Sequence, residues 1–338
     1  MFMRPCVPVL IGSCFAAAGA AAQSGSVVLY GSLDVAITHR SDRGWAVDPQ
    51  GGNRLGFRGV EALGEDLSAT FRAEMRFDPD TGGWERTNRP PWQGESTVGL
   101  ASKRFGALRL GRAMTAVQWY NGFYDPWALK TVATVQLYQT ANYYSDLSQP
   151  AGAGSGRWSN GIFYDSPRLG GLLVAVSLQP RETLPTPKRP VSLAFDYQQS
   201  AFTAFAGFER SAQGSDYVQV AGSYDFGLLR LLGTVSRQDP LPGIDPDNVT
   251  GLGNGPAPAG AAIKAYGVSA IVPLPGGSGR IGRASKKFEG QTSRDNQSSL
   301  GYRYDLSKRS YIYTDVTRTA PQFGVRRTSV DLGIVQNF

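Results

Sequence analysis

The sequence predicts an all-β fold, an antiparallel transmembrane β-barrel of about sixteen strands. Three observations carry this: an export signal at the N-terminus, a period-two side-chain pattern repeated to the end of the chain, and a terminal phenylalanine. The pattern is plainest where Leu67, Ala69, Phe71, Ala73, Met75 and Phe77 alternate with Ser68, Thr70, Arg72, Glu74 and Arg76. Such a strand has one greasy face and one ionic face. Just upstream, Leu55, Phe57 and Gly59 alternate with Arg54, Gly56 and Arg58, and Leu63-Gly64-Glu65-Asp66 supplies turn chemistry between the runs. The unit is an antiparallel hairpin with arginines along one side. Alone, it suits a soluble sandwich better than a wet channel wall. The leader, the repetition and Phe338 reverse that choice.

Residues Met1 to Ala22 hold one basic side chain, Arg4, then an apolar run from Val7 to Phe15, then Ala20-Ala21-Ala22 before Gln23. This reads as a secretory signal peptide over 1–22 with an A-x-A cleavage site, leaving 23–338 as a single domain. A membrane-anchoring helix fits less well because the run is short and alanine-rich. Ile11-Gly12-Ser13-Cys14 imitates a lipoprotein box but would leave an alanine-rich remnant before the first strand. Both cysteines, Cys6 and Cys14, lie in the leader, so the mature chain is expected to have no thiol, disulfide or cysteine metal site. Without Arg4 the chain has 33 basic against 27 acidic side chains, a net of +6. That balance suggests anionic partners or solutes and is too diffuse for a nucleic-acid claim. No later stretch reaches the apolar length of a membrane helix, so any crossing must use strands.

In chain order, Ser26 to Ile37 places Val27, Leu29, Leu33, Val35 and Ile37 on one face and Tyr30, Ser32 and Asp34 on the other. His39 to Gln50 reads as a polar loop, and Asp78 to Gly94, rich in Gly, Pro and Trp, as another. Thr97 to Ala101 and Ala107 to Gly111 form a second hairpin. Ala113 to Gly156 then breaks the rhythm, and a connection that long is usually functional. Alternation resumes over Ser159–Tyr164, Leu172–Gln179, Val191–Tyr197, Phe202–Phe208, Tyr217–Tyr224, Leu229–Ser236, Lys264–Val272, Arg280–Phe288, Ser298–Tyr304, Tyr311–Thr317 and Thr328–Phe338. Connector length alternates too, with short turns such as Asp225 to Gly227 and long loops such as Arg237 to Ile263. Short turns on one rim and long loops on the other suit an outer-membrane barrel. Tyr197, Tyr224, Tyr302, Tyr304, Tyr311 and Tyr313 lie near strand ends, where rings with a polar tip suit the membrane interface. In the last strand Val330, Leu332, Ile334 and Phe338 share one face, with Asp331 and Asn337 on the other.

These residues resemble the Gram-negative general porin family, in its beta-proteobacterial form. The resemblance rests on QSGSVVLYGSLD, NRLGFRGVEALGEDLSATFRAE, STVGLASKRFGALRLGR, RWSNGIFYDSP, YRYDLSKRSYIYTD and a last strand ending in Phe, and spans Gln23 to Phe338. It implies a sixteen-stranded homotrimer in the outer membrane, in contact with lipid and lipopolysaccharide, whose inserted loop narrows the lumen. It also implies that the strand ending at Phe338 is read by the barrel-assembly machinery. By the same resemblance, Arg54, Arg112 and Arg157 fall at the positions of the family's basic wall cluster. Ala113 to Gly156 matches the inserted loop, with Asp125 as the acidic partner. Only Asp125 and Asp146 are acidic there, and Lys130 adds positive charge, so the eyelet tilts basic.

The function expected is passive diffusion of ions and small hydrophilic solutes, anionic or neutral, with weak anion preference. Arg54, Arg58, Arg72, Arg112 and Arg157 would concentrate anions where low-dielectric walls focus the field. Each arginine could instead be a solvated strand residue or an ion-pair partner, as with Arg72 and Arg76 beside Glu74. Counted from Leu108 and Leu110, Arg112 falls on the lipid face, where it would cost about 2 to 4 kcal/mol at midplane. Ending the ladder at Gly111 turns it inward. A substrate-specific channel is an alternative, and a secreted carbohydrate-binding sandwich another. An outer-membrane β-barrel enzyme is the rival from another class, but the one histidine, His39, has no cysteine partners, and no phosphate-loop motif surrounds Gly282. No catalytic residue, metal or cofactor is expected.

Overall fold

A computed structural model describes residues 25–85, 91–135, 156–180, 188–211, 214–239, 261–322 and 324–338. The leader, Asp146 and much of the segments 180–190 and 237–263 lie outside the described residues. The strands are β1 (Ser26–Arg40), β2 (Gly44–Pro49), β3 (Arg54–Ala62), β4 (Leu67–Asp78), β5 (Gly83–Trp84), β6 (Glu95–Ser102), β7 (Gly106–Met114), β8 (Arg157–Asp165) and β9 (Leu172–Leu178). They continue as β10 (Val191–Gln199), β11 (Phe202–Arg210), β12 (Asp216–Asp225), β13 (Arg230–Gln238), β14 (Ile263–Leu274), β15 (Gly277–Phe288), β16 (Asp295–Asp305), β17 (Ser310–Ala320) and β18 (Arg327–Asn337). Sixteen of these close an antiparallel barrel; β2 and β5 are short additions at one rim.

Closure is made by β1, which pairs with β3 through Ser26 to Ser32 and with β18 through Ser32 to Arg40. Gly31 and Phe338 exchange both backbone hydrogen bonds, at 3.0 and 3.2 Å. A side chain at 31 would strike the Phe338 ring, so glycine lets the last residue seat against the first strand. Among the described residues, this closure leaves the sixteen barrel strands without a free edge.

Period two now has a direction. Val27, Leu110 and Leu332 are 67, 49 and 57% exposed, whereas Asp196, Gln219 and Asp331 are at most 1% exposed. Apolar groups face outward and polar ones inward, the inverse of a soluble sandwich and the arrangement a bilayer demands. The turns at 63–66, 103–105, 200–201, 226–229 and 275–276 share one rim. The long connections fall on the other rim, although 211–215 and 289–294 there are also brief.

Two sequence expectations change. The polar loop expected over His39 to Gln50 is a hairpin: β1 runs to Arg40 and returns as β2, pairing Ile37 with Val47, while the His39 and Trp45 rings meet at 4.8 Å. Trp45 and Val47 continue the outward apolar face despite the polar composition around them. Among the tyrosines, Tyr224 and Tyr304 are exposed on the outer surface, but Tyr313 is buried in the lumen and donates to Asp34 Oδ1 at 2.7 Å. Tyr311 lies next to it, under the Arg303 guanidinium at 3.8 Å. Both share the parity of Asp315, which is why they point inward.

The segment after β7 crosses the lumen. It contains α1 (Ala116–Asn121) and a 3-10 turn (Gly122–Tyr124). A helix start leaves backbone donors unpaired, and here the wall meets them: Ala116 N–H donates to Ser177 Oγ at 2.9 Å and Val117 N–H to Ser192 Oγ at 3.0 Å. Thr115 caps the helix and donates to Glu209 Oε2 at 2.5 Å. Val117, Tyr120 and Tyr124 pack on Ala175, Ala194 and Phe205, whose small or flat side chains leave room for them. On the far side Trp127 Nε1 donates to Asp315 Oδ1 at 2.7 Å, and Trp127 and Val135 pack on Ala284. Gln297 Nε2 donates to Thr134 O at 2.9 Å.

Candidate functional site at the pore constriction

The loop leaves open the part of the lumen walled by β3, β4 and the start of β8. Arg54 and Arg76 are register partners on β3 and β4, and Glu74 lies between their guanidinium groups, 3.7 Å from Arg54 Nε and 3.0 Å from Arg76 Nε. Tyr30 OH donates to the same carboxylate at 3.1 Å. Arg157, at the start of β8, is buried and donates from Nε to Gly94 O at 2.7 Å. From the loop, Lys130 closes the ring, held where its carbonyl accepts from Gly51 N–H at 2.9 Å. Burial, and secondarily the Arg54 charge, lower the pKa of the Lys130 ammonium.

Arg54, Arg76, Arg157 and Lys130 line one cavity of about 460 Å³, with Glu85 as its acidic lining residue. Trp119, Phe123 and Leu129 of the loop line the same cavity. With Glu74 shared between two arginines, the cavity wall keeps excess positive charge, which a low-dielectric surround strengthens.

The structure brings Arg54 and Arg157 together here and places the other sequence-predicted arginines elsewhere. Arg58 and Arg72 are directly opposite each other further along β3 and β4. Their guanidinium carbons lie 5.4 and 5.9 Å from the Tyr30 ring centre, and Arg72 also bonds Glu95 at 2.8 Å. Glu95 in turn meets Arg109 at 2.9 Å, and Arg109 meets Asp165 at 3.0 Å, so this lower wall is an ion-pair ladder. Arg112 is only 7% exposed, with Nε on Gln93 O at 3.0 Å and Nη1 on Ser159 Oγ at 2.7 Å. It leaves the lipid face, though by a different route from the one expected. The ladder continues to Met114, but the β7–β8 register slips between Gly111 and Ala113, with Gly111 at φ +127°. The bulge reverses side-chain parity.

Asp125 is not paired with Arg54, Arg112 or Arg157, the partners that the resemblance implies. Its buried carboxylate accepts from Leu129 N–H at 2.8 Å, Trp127 N–H at 3.4 Å, Val135 N–H at 3.3 Å and the Thr134 hydroxyl. Burial raises its pKa, and these donors oppose the rise only in part. It organises the loop from within, and among the described residues no ion pair joins it to a guanidinium. Arg109 is absent from the sequence expectations; Arg76 enters them only as an ion-pair partner of Glu74, as found here at 3.0 Å, and Lys130 only as a positive charge of the inserted loop. Arg76 shares the parity of Arg72 and Glu74 and was within reach of the period-two count; the position of Lys130 depends on the loop backbone.

A family model described as Gram-negative porin matches residues 9–320. An outer membrane porin protein of Bordetella pertussis is 28% identical over 348 aligned positions, covering 88% of this chain and 89% of that protein. Among solved structures, an anion-selective porin from Comamonas acidovorans superposes with a TM-score of 0.78 at 22% identity, over 93% of this chain and all of that one. OmpT of Vibrio cholerae, folded in vitro and solved in a trimer form, superposes with a TM-score of 0.67 at 12% identity, over 93% of this chain and 100% of that one. An inside-out barrel, a loop laid across its lumen and a family match over most of the length agree: the chain belongs to the Gram-negative porins, non-enzymatic channel proteins of the outer membrane.

Proposed function

We propose that this porin is a weakly anion-selective, trimeric diffusion pore, with Arg54, Arg76, Arg157 and Lys130 as its charged eyelet and Arg58, Arg72 and Arg112 as supporting wall charges. The carrying observation is that four cationic side chains line one cavity in which Glu85 is the acidic lining residue. Ions crossing a wet gap between such a wall and an apolar loop meet a positive potential that raises local anion concentration. The ladder of Arg72, Glu95, Arg109 and Asp165 is close to balanced, so it extends the polar track without opposing that preference. Trimer assembly is supported by likeness to a porin solved as a trimer. Export by a leader over 1–22, contact with lipopolysaccharide and delivery to the barrel-assembly machinery through Phe338 complete the reading.

The test is the zero-current potential of the purified channel across a planar bilayer in a potassium chloride gradient. A sign reporting chloride as the more permeant ion supports the reading, and potassium preference overturns it.

A further inference from the structure

Trp119 and Phe123 are four residues apart across the helix and the 3-10 turn, so they share a face. The opposite face, with Val117, Tyr120 and Tyr124, is buried against the barrel wall. Trp119 and Phe123 remain 47% and 52% exposed and line the cavity together with Arg54, Arg76 and Arg157. Exposed rings on the outside of this barrel face acyl chains. These two face channel water, where leaving so much apolar surface wet is unfavourable and marks a contact for a ligand.

The two kinds of side chain in the cavity are chemically complementary to one kind of solute. Guanidinium groups present paired, coplanar donors to a carboxylate, and their flat faces also stack on rings. An indole and a phenyl ring from the loop offer apolar area with edge and face contacts in the same cavity. The volume of about 460 Å³ falls within that of small-molecule sites, roughly 300 to 1,000 Å³. We propose that the constriction is a binding site for aromatic carboxylates, with the carboxylate drawn to the positive potential of the Arg54, Arg76 and Arg157 wall and the ring on Trp119 and Phe123. Such anions pause in the eyelet and hinder chloride while bound. This deepens the basic-eyelet reading and rests on it.

The experiment measures chloride current through the wild-type channel while 2-naphthoate or acetate is added to one side. Half-block by naphthoate is expected at a concentration roughly tenfold or more below that for acetate, equivalent to about 1.4 kcal/mol. In Trp119→Ala/Phe123→Ala the two concentrations should come within about twofold. Equal block by the two anions in the wild type, with chloride preference intact, overturns the aromatic site and leaves the eyelet reading standing. Unchanged naphthoate block in the double variant also overturns it. A potassium-selective wild type removes the basic eyelet on which the proposal rests.

Discussion

The two sides of the lumen are built from strands of the same alternating design, yet they carry different side chains inward. Where the inserted loop lies against β9 to β12 and β15 to β17, the wall presents Ala175, Ser177, Ser192, Ala194, Ala284 and Gln297. Where water remains, β3, β4 and the start of β8 present Arg54, Arg58, Arg72, Glu74, Arg76 and Arg157. Methyl groups leave room for a protein occupant, and the Ser177 and Ser192 hydroxyls with the Glu209 and Asp315 carboxylates supply its acceptors. Long charged groups supply a potential for a solvent-filled gap. A polar lumen is therefore two surfaces, one that holds the loop and one that meets the solute.

The strongest way to break this division is to release the far end of the loop. Trp127→Ala removes a buried ring and leaves Asp315 without its indole donor, a loss of about 3 to 5 kcal/mol. Single-channel recording should show higher conductance and frequent large current fluctuations; wild-type traces would mean that the loop is held elsewhere. Thr115→Val loosens the near end less. It removes the helix cap and the Glu209 partner, worth about 1 to 3 kcal/mol, and should raise open-channel noise with a smaller change in mean conductance.

Much of this division is legible in the sequence, and the remainder is not for physical reasons. Alternation at 67–77 sets which side chains face inward, so Arg54, Arg58 and Arg72 could be placed from parity, and so could Arg76, Tyr311 and Tyr313. Helix α1 is too short to show a period, and its stability comes from wall serines distant in sequence. Asp125 illustrates the limit best. The family resemblance implies an arginine partner, but Leu129, Trp127, Thr134 and Val135 reach it first because the loop folds around it. Arg112 shows another limit, since a one-residue bulge reverses a parity that the sequence displays without interruption.

The pH response sharpens the comparison at a lower level. Because burial raises the Asp125 pKa, the packed loop favours the protonated acid. The resulting stability is fully present below the ordinary carboxylate pKa, near about 3.9, and is lost as pH rises through the elevated value. Open-channel noise should therefore increase over that rise, and Asp125→Asn should flatten the profile; an unchanged profile in the variant would assign the response to another group. The smallest effect belongs to Arg58→Gln. Arg58 is exposed and lies outside the cavity, so the zero-current potential should move by a few millivolts at most, roughly a tenth of an RT-sized energy.

The basic wall itself is tested most directly by the zero-current potential of Arg54→Gln/Arg76→Gln beside that of the wild type in the same salt gradient. Removing both guanidinium groups leaves Glu74 without its two ion-pair partners in the cavity wall. The potential should fall to near zero, because Arg157 and Lys130 then stand against Glu74 and Glu85. Chloride preference of undiminished size in the double variant would contradict the assignment of selectivity to the β3–β4 side of the lumen.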